Sequence, residues 1–397
     1  MGQLFKKARA AVRFRRITAT ILRLHALERL LAFLARRGWR ARPLATPRGV
    51  VIRSTERCFL SCRMCGQNRP GGRLAGVRRS ARLEVAPAIL AALAAEIAQW
   101  RHKPFVKFTG GEPLLHWRAL RPAIERLRAA GCVVKLNTNG VLLKSPAVAS
   151  EVVGSGLEYL SVSIDGDEAT HNRIRGLPTA FASARRGVEN VLRARGALRA
   201  TYPMVLLSCV VSALNQERLA ALADVAREWR ADWLNIQFLN YFPPRLAAAA
   251  AREARGRFGV EAQPWLGFAI EPLARIDPEQ VSRGIAEVRR RAPCPVSVMK
   301  IGGLGAGAIR RYYLSDEALP RGLCHMPFVT AAVVPPGRLA FCLDYPYYFC
   351  GDLEGTTLRE AWNGAPAQRF RAGLVDCYRS SGANFPQCRR CNWPGNV

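Results

Sequence analysis

The run Gly49-Val-Val-Ile-Arg-Ser-Thr-Glu-Arg-Cys58-Phe-Leu-Ser-Cys62-Arg-Met-Cys65 carries two signals in succession. Gly49 to Ser54 is a short β-branched run that reads as a strand. Three cysteines at Cx3Cx2C spacing follow it directly. Three thiolates on one tight loop can hold three corners of an iron–sulfur cubane, whereas an ordinary electron-transfer cluster is held by four. One iron is then left open, and an open coordination position is what separates a catalytic metal centre from a structural one. A zinc knuckle lacking its fourth ligand, or three unrelated core cysteines, fits the same spacing.

Outward from this run the chain alternates. Helix-like Ala86 to Trp100 leads to a second strand, Pro104-Phe-Val-Lys-Phe-Thr109. Leu120 to Ala130 precedes the strand Cys132-Val-Val-Lys-Leu136, and Pro146 to Val153 precedes Tyr159-Leu-Ser-Val-Ser-Ile164. A helix over Ala180 to Ala194, a strand over Val205 to Val211, a helix over Leu219 to Trp229 and a strand over Trp233 to Phe238 complete the series. Strands separated by helices predict a parallel α/β sheet, doubly wound or curled into a barrel. From about Tyr241 to Leu323 the alternation is lost. There Gly302-Gly-Leu-Gly-Ala-Gly307 departs from dinucleotide-loop spacing and reads as a flexible connection. The last part of the chain holds six of the 12 cysteines and reads as a second, cysteine-rich unit.

Three turns extend the signal of the cysteine loop. Gly110-Gly-Glu-Pro113 follows the second strand, Asn137-Thr-Asn-Gly140 the third, and Ser161-Val-Ser-Ile-Asp-Gly166 ends the fourth. A parallel barrel delivers every strand's C-terminal end to one mouth, where ligands bind. Paired glycines let backbone approach a ligand's ammonium group, and Asn or Asp at a strand end can hydrogen-bond a sugar. Each turn alone is commonplace. Together, and with His171 and Arg175, they resemble the radical S-adenosylmethionine (radical SAM) enzymes over about residues 49 to 240.

The resemblance implies a partial (β/α)6 barrel and a 4Fe–4S cluster held by Cys58, Cys62 and Cys65, with S-adenosylmethionine chelating the open iron. One electron from the cluster then releases a 5′-deoxyadenosyl radical that abstracts a substrate hydrogen. Gly110, Gly111 and Glu112 are expected to hold the methionine amine, Ser163 and Asp165 to lie near the ribose, and Arg175 near the carboxylate. A reductase such as flavodoxin or ferredoxin is the implied electron donor.

Cys324, Gly337, Cys342 and Cys388-Arg-Arg-Cys391 resemble the twitch form of the SPASM domain, as do Gly351-Asp-Leu353 and Leu358-Arg-Glu-Ala-Trp362. That likeness implies one auxiliary 4Fe–4S cluster on Cys324, Cys342, Cys388 and Cys391, since the sequence ends at Val397 without the further cysteines of a full SPASM pattern. A four-cysteine zinc ribbon is the rival, because zinc accepts the same thiolates. A fully ligated cluster can take an electron, which favours net substrate oxidation. Asp344 is a candidate base, whereas Tyr345, Tyr347 and Tyr348 read as packing residues. Cys132, Cys209, Cys294, Cys350 and Cys377 read as apolar core thiols.

At 397 residues, 49% hydrophobic and 22% charged, disordered, collagen-like and small disulfide-rich classes are excluded. The sequence shows no membrane span and no cleavable signal, so a cytoplasmic location is expected, with thiols reduced. The net charge of +31 is carried mainly by arginines spread along the chain, and no RNA-binding motif accompanies it. In the first forty residues Ile17, Ile21, Leu24, Leu27, Leu31 and Leu34 recur at helical spacing among Arg15, Arg16, Arg23, Arg29, Arg36 and Arg37, with Glu28 the one acid. This basic amphipathic helix packs against its own domain or lies peripherally on an anionic membrane.

The expected layout is an N-terminal helix over 1–48, a barrel over 49–240, a helical connection over 241–321 and the auxiliary-cluster unit over 322–397. The expected function is radical oxidation of a small molecule or modification of a peptide side chain. An RNA-modifying radical enzyme and a non-catalytic iron–sulfur or zinc protein are the alternatives.

Overall fold

The computed structural model describes residues 2–36, 43–67, 84–261, 268–299, 301–315, 322–343 and 348–386, with Cys388 and Cys391. Side chains at 25, 28, 29 and 31–36 lie outside this set, so the expectations for Glu28, Arg29, Leu31, Leu34 and Arg36 fall there, as do Arg37, Asp344, Tyr345 and Tyr347.

Ten strands form one sheet: β1 (Gly49–Thr55), β2 (Phe105–Gly110), β3 (Val133–Thr138), β4 (Tyr159–Ser163), β5 (Met204–Val211), β6 (Trp233–Phe238), β7 (Val296–Val298), β8 (Thr330–Val334), β9 (Arg338–Ala340) and β10 (Gly351–Asp352), in the order β10-β9-β8-β1-β2-β3-β4-β5-β6-β7. β1 to β6 pair in parallel, each with the next, and are the six strands legible in the sequence. Alternate residues divide the sheet into two faces. Val50, Ile52, Val106, Phe108, Val134, Leu136, Leu160 and Val162 face the covering helices and are fully or almost fully buried. The opposite positions carry Lys107, Thr109, Lys135, Asn137, Ser163, Ser208, Asn235 and Gln237, all half-buried. The polar positions therefore lie on the face of the parallel strands opposite the helices.

Two features depart from the sequence reading. β7 lies within the region read as a purely helical connection and pairs in parallel with β6. β8 belongs to the cysteine-rich unit, yet it pairs in parallel with β1 along Gly49 to Ile52, so that unit continues the barrel's sheet. Gly302 to Gly307 is only partly a connection, since a helix over Ala306–Leu314 starts within it.

The N-terminal segment is two helices, α1 (Gly2–Arg13) and α2 (Arg15–Arg36), where one was expected. Their inner face closes the bottom of the barrel. Ala10, Phe14, Ile17 and Leu24 pack with Phe105, Val133, Tyr159 and Met204, the first residues of β2 to β5. Three polar ties fix the plug: Arg13 pairs with Asp232 at 2.7 Å, Arg16 with Glu158 at 2.8 Å, and Gln3 accepts the Val296 N–H at 2.9 Å. The helices α3 (Pro87–Gln99), α4 (Trp117–Ala129) and α5 (Pro146–Gly154) follow in the chain and share the sheet's outer apolar core through Leu90, Ile124 and Val152. No helix among the described residues is long and apolar enough to cross a membrane.

Candidate active site

β1 ends at Thr55, just before Cys58, and the paired glycines end β2 beside it. The Gly111 N–H donates to the Thr55 carbonyl at 2.7 Å and the Glu112 N–H to the Arg57 carbonyl at 2.8 Å, so the two backbones run edge to edge. A Cβ on Gly110 would strike the Thr55 oxygen and one on Gly111 the Arg57 oxygen. Gly110 also holds φ at +152°, which side chains disfavour. The close approach that requires these glycines is thus to the chain's own cysteine loop.

Glu112 is completely buried and braces the next strand. Its Oε1 accepts from the Leu114 N–H at 3.0 Å and the Thr138 hydroxyl at 2.7 Å, and its Oε2 accepts from the Asn139 N–H at 2.8 Å. Burial pushes its carboxyl pKa up, while those hydrogen bonds and the Arg175 charge act against the rise. A carboxylate oxygen has room for two donors, so Oε2 keeps one acceptor position.

Asp165, just beyond β4, is fully buried, and its Oδ2 lies 2.6 Å from Arg175 Nε. Burial alone would raise the Asp165 pKa, but the guanidinium and the hydrogen bonds hold it below the usual carboxylate value. His171 Nδ1 accepts the Asp165 N–H at 3.2 Å, and burial lowers the imidazole's pKa. Both His171 and Arg175 come from helix α6 (Glu168–Arg175). The end of α6 grips the cysteine loop: the Arg63 N–H donates to the Ile174 carbonyl at 2.8 Å, and Arg175 Nη1 lies 3.9 Å from Cys62 Sγ. Ser163 ends β4 in register with Ser208 of β5.

These residues fit an S-adenosylmethionine-bound cluster on two counts. Burial pushes the Cys58 thiol up to about 11, with Glu112, Cys62 and Cys65 adding repulsion, and burial raises Cys62 against the pull of Arg175. Crowded thiols of this kind ionise readily only around a cationic core. Asp165 Oδ1, Asn137 Oδ1 and Asn139 Nδ2 are buried atoms with no hydrogen-bond partner among the described residues, leaving acceptors and a donor at the strand ends for a ligand.

The C-terminal cysteines are organised by an aromatic cluster. Phe370 packs against Phe341 and Phe385 at 5.4 and 5.6 Å, and these two rings precede Cys342 and the Cys388 turn. The Cys324 N–H donates to Asn384 Oδ1 at 2.8 Å, which sets Cys324 beside the same segment. The Cys388 N–H donates to the Phe385 carbonyl at 2.8 Å and the Cys391 N–H to the Cys388 carbonyl at 3.2 Å. Arg371, almost fully buried, lies over Phe341 and Trp362 at 4.5 and 4.3 Å, and burial brings its pKa down to about 10. Among the described residues no two cysteines are joined by a disulfide.

The structure thus brings Cys58, Cys62, Glu112, Asp165 and Arg175 together, and it leaves the two glycines serving the loop that carries the thiols. Thr138, Asn215 and Asn384 were not singled out from the sequence. Asn215 holds the Asp165 carbonyl at 3.0 Å across 50 residues of chain, a relation with no local signal. Thr138 lay inside a quoted motif, and its spacing to Glu112 gave no hint of the bond between them.

The radical SAM superfamily model matches residues 52–225, and the model of the SPASM iron–sulfur cluster-binding domain matches residues 324–392. An AdoMet-dependent heme synthase of Methanosarcina barkeri is 36% identical over 142 residues, 34% of this chain and 37% of that protein. A PqqA peptide cyclase of Xanthomonas axonopodis pv. citri is 28% identical over 208 residues, 49% of this chain and 48% of the relative. The match therefore spans less than half of each of these relatives. Among solved structures, Streptococcus suis SuiB bound to S-adenosylmethionine superposes with a TM-score of 0.58 at 14% identity, covering 91% of this chain and 75% of SuiB. Native anSMEcpe with bound AdoMet gives 0.55 at 16% identity, covering 86% of this chain and 88% of the other. At such identities these likenesses establish the fold.

Proposed function

With a radical SAM domain and a SPASM domain on one chain, this protein is a member of the radical SAM superfamily, and we propose that it is an oxidoreductase that removes a hydrogen atom from a peptide side chain. The two domains imply a cluster that binds S-adenosylmethionine and an auxiliary 4Fe–4S cluster. The observation that carries the reading is the packing of half-buried Cys58 and Cys62 with buried Glu112, Asp165 and Arg175 beyond the C-terminal ends of β1, β2 and β4.

When bound, the cluster and S-adenosylmethionine would together supply one-electron cleavage of the sulfonium to methionine and the hydrogen abstraction that follows. The chain's own residues orient and shield. Cys58, Cys62 and Cys65 would hold three irons. Glu112 Oε2 would accept from the methionine ammonium at its remaining position, Asp165 Oδ1 and Ser163 would face the ribose hydroxyls, and Arg175 would set the position of Cys62 and meet the carboxylate. Cys324, Cys342, Cys388 and Cys391 would hold the auxiliary cluster as an electron acceptor. The aromatic cluster beside them excludes water.

A peptide substrate is supported by the PqqA peptide cyclase relative and by neighbours of the same fold whose structures contain peptides, SuiA with SuiB and Cp18Cys with anSMEcpe. A second reading, a small molecule, is favoured by the 36% identity to a heme synthase. The +31 charge suits an acidic flavodoxin or ferredoxin as donor. The test is anaerobic reconstitution and reduction with S-adenosylmethionine present. Formation of 5′-deoxyadenosine and methionine is expected; intact S-adenosylmethionine beside a full complement of iron would refute the reading.

A further inference from the structure

Helices α1 and α2 have two apolar faces, and the barrel covers only one. On the other, Leu4, Phe5, Val12, Leu22 and Leu30 are 76, 71, 79, 62 and 52% exposed. They are five of the ten large apolar side chains exposed among the described residues, so the apolar surface is concentrated on these helices and not scattered. At 100° per residue Leu4, Ala8 and Val12, then Ala19, Leu22, Ala26 and Leu30, fall on one side, opposite Ala10, Phe14, Ile17 and Leu24. All seven residues of this outer stripe are exposed.

The basic residues divide in the same way. Towards the body, Lys6 donates to the Ala292 carbonyl at 2.6 Å, and Arg13 and Arg16 pair with Asp232 and Glu158. Lys7 and Arg9 flank the outer stripe of α1, and Arg15 and Arg23 lie within that of α2. All four are exposed, with no ion pair or hydrogen bond to any described residue. The only acid on these helices is Glu28. A second protein would have to bury four unpaired cations against this stripe, whereas an anionic bilayer offers acyl chains to the leucines and headgroup charge to the cations together.

We propose that the outer face of α1 and α2 docks this protein peripherally on an anionic phospholipid surface. The barrel's plugged end then faces the bilayer, and its mouth, with the cysteine loop, points away from it. This inference stands independently of the proposed chemistry.

The experiment is co-flotation of the full-length, anaerobically prepared protein with vesicles of phosphatidylcholine alone or mixed with phosphatidylglycerol. Binding to the mixed vesicles, weakened by salt, is expected. Arg15→Gln with Arg23→Gln should weaken it about 25-fold, since each basic residue near such a surface adds about fivefold. Leu4→Ser with Val12→Ser and Leu22→Ser should abolish it. These side chains are exposed, so an unchanged melting temperature verifies that both variants fold. Absence of binding, equal binding to both vesicle types, or binding indifferent to both sets of substitutions would overturn the proposal. So would self-association in solution that the serine variant dissolves while vesicles are ignored, which would assign the stripe to a second copy of the chain.

Discussion

Arg175 Nη1 lies 3.9 Å from Cys62 Sγ, while Nε of the same guanidinium lies 2.6 Å from Asp165 Oδ2. One side chain thereby links a cluster-loop thiol to the buried carboxylate at the end of β4. Removing it leaves Asp165 buried with the His171 imidazole, 3.4 Å away, in place of a guanidinium. Arg175→Met should lower the unfolding free energy by about 3–5 kcal/mol in urea titrations, and adding Asp165→Asn should recover part of the loss. Arg175→Lys keeps the charge but not the forked geometry, so it should fall between. A wild-type midpoint for Arg175→Met would show that the pair does not hold the site.

Gly111 and Gly196 separate a glycine that the site requires from one it does not. A Cβ at 111 meets the Arg57 carbonyl, whereas one at 196, in the helix Ala180–Ala197, meets nothing within 4 Å. Gly111→Ala should cost about 1–3 kcal/mol through overpacking and lower the iron bound per chain. Gly196→Ala should gain roughly 0.5–1 kcal/mol and leave iron unchanged. Thermal melts with iron analysis read both.

The N-terminal plug should be integral to the barrel. Phe14 is 2% exposed and packs 6.0 Å from the Tyr202 ring, while Val12 is 79% exposed. Phe14→Ala should cost about 3–5 kcal/mol in chemical denaturation. Val12→Ala should stay within about 0.5 kcal/mol of wild type.

Lys135 gives the lumen a pH signature. It sits opposite Lys107 on β2 and 4.4 Å from the Tyr159 ring, and burial first, then Lys107, brings its pKa down to about 7. The unfolded chain titrates near 10.4, so between about pH 7 and 10 it binds more protons than the folded one, and stability rises with pH. Lys135→Met removes that term. The variant should gain about 1–3 kcal/mol at pH 6 relative to wild type, and the difference should shrink towards pH 10. A difference independent of pH would place Lys135 in ordinary solvent.

Much of this architecture was legible because its strands are β-branched and separated by helices of ordinary length. Val50, Ile52, Val133 and Val134 announce their strands. β7 did not, because Val296 to Val298 is three residues long and takes its strand character from pairing with β6. The run Thr330-Ala-Ala-Val-Val334 gives no hint that it extends the barrel sheet, since its partner β1 lies some 280 residues away. The cysteine and glycine motifs, separate in the sequence, lie edge to edge in the structure. Their mutual support, Glu112 bracing Thr138 and Asn139 and Arg175 bridging Asp165 to Cys62, arises only when separate strand ends meet.

The central claim is that the cluster on Cys58, Cys62 and Cys65 keeps one iron open. The direct measurement is EPR of the reduced Cys324→Ala, Cys342→Ala protein, in which the barrel cluster is the one expected to remain, at about four irons per chain. Adding S-adenosylmethionine should change the g-values of that signal, as a new ligand reaches the iron. An unchanged signal at saturating S-adenosylmethionine would contradict the account.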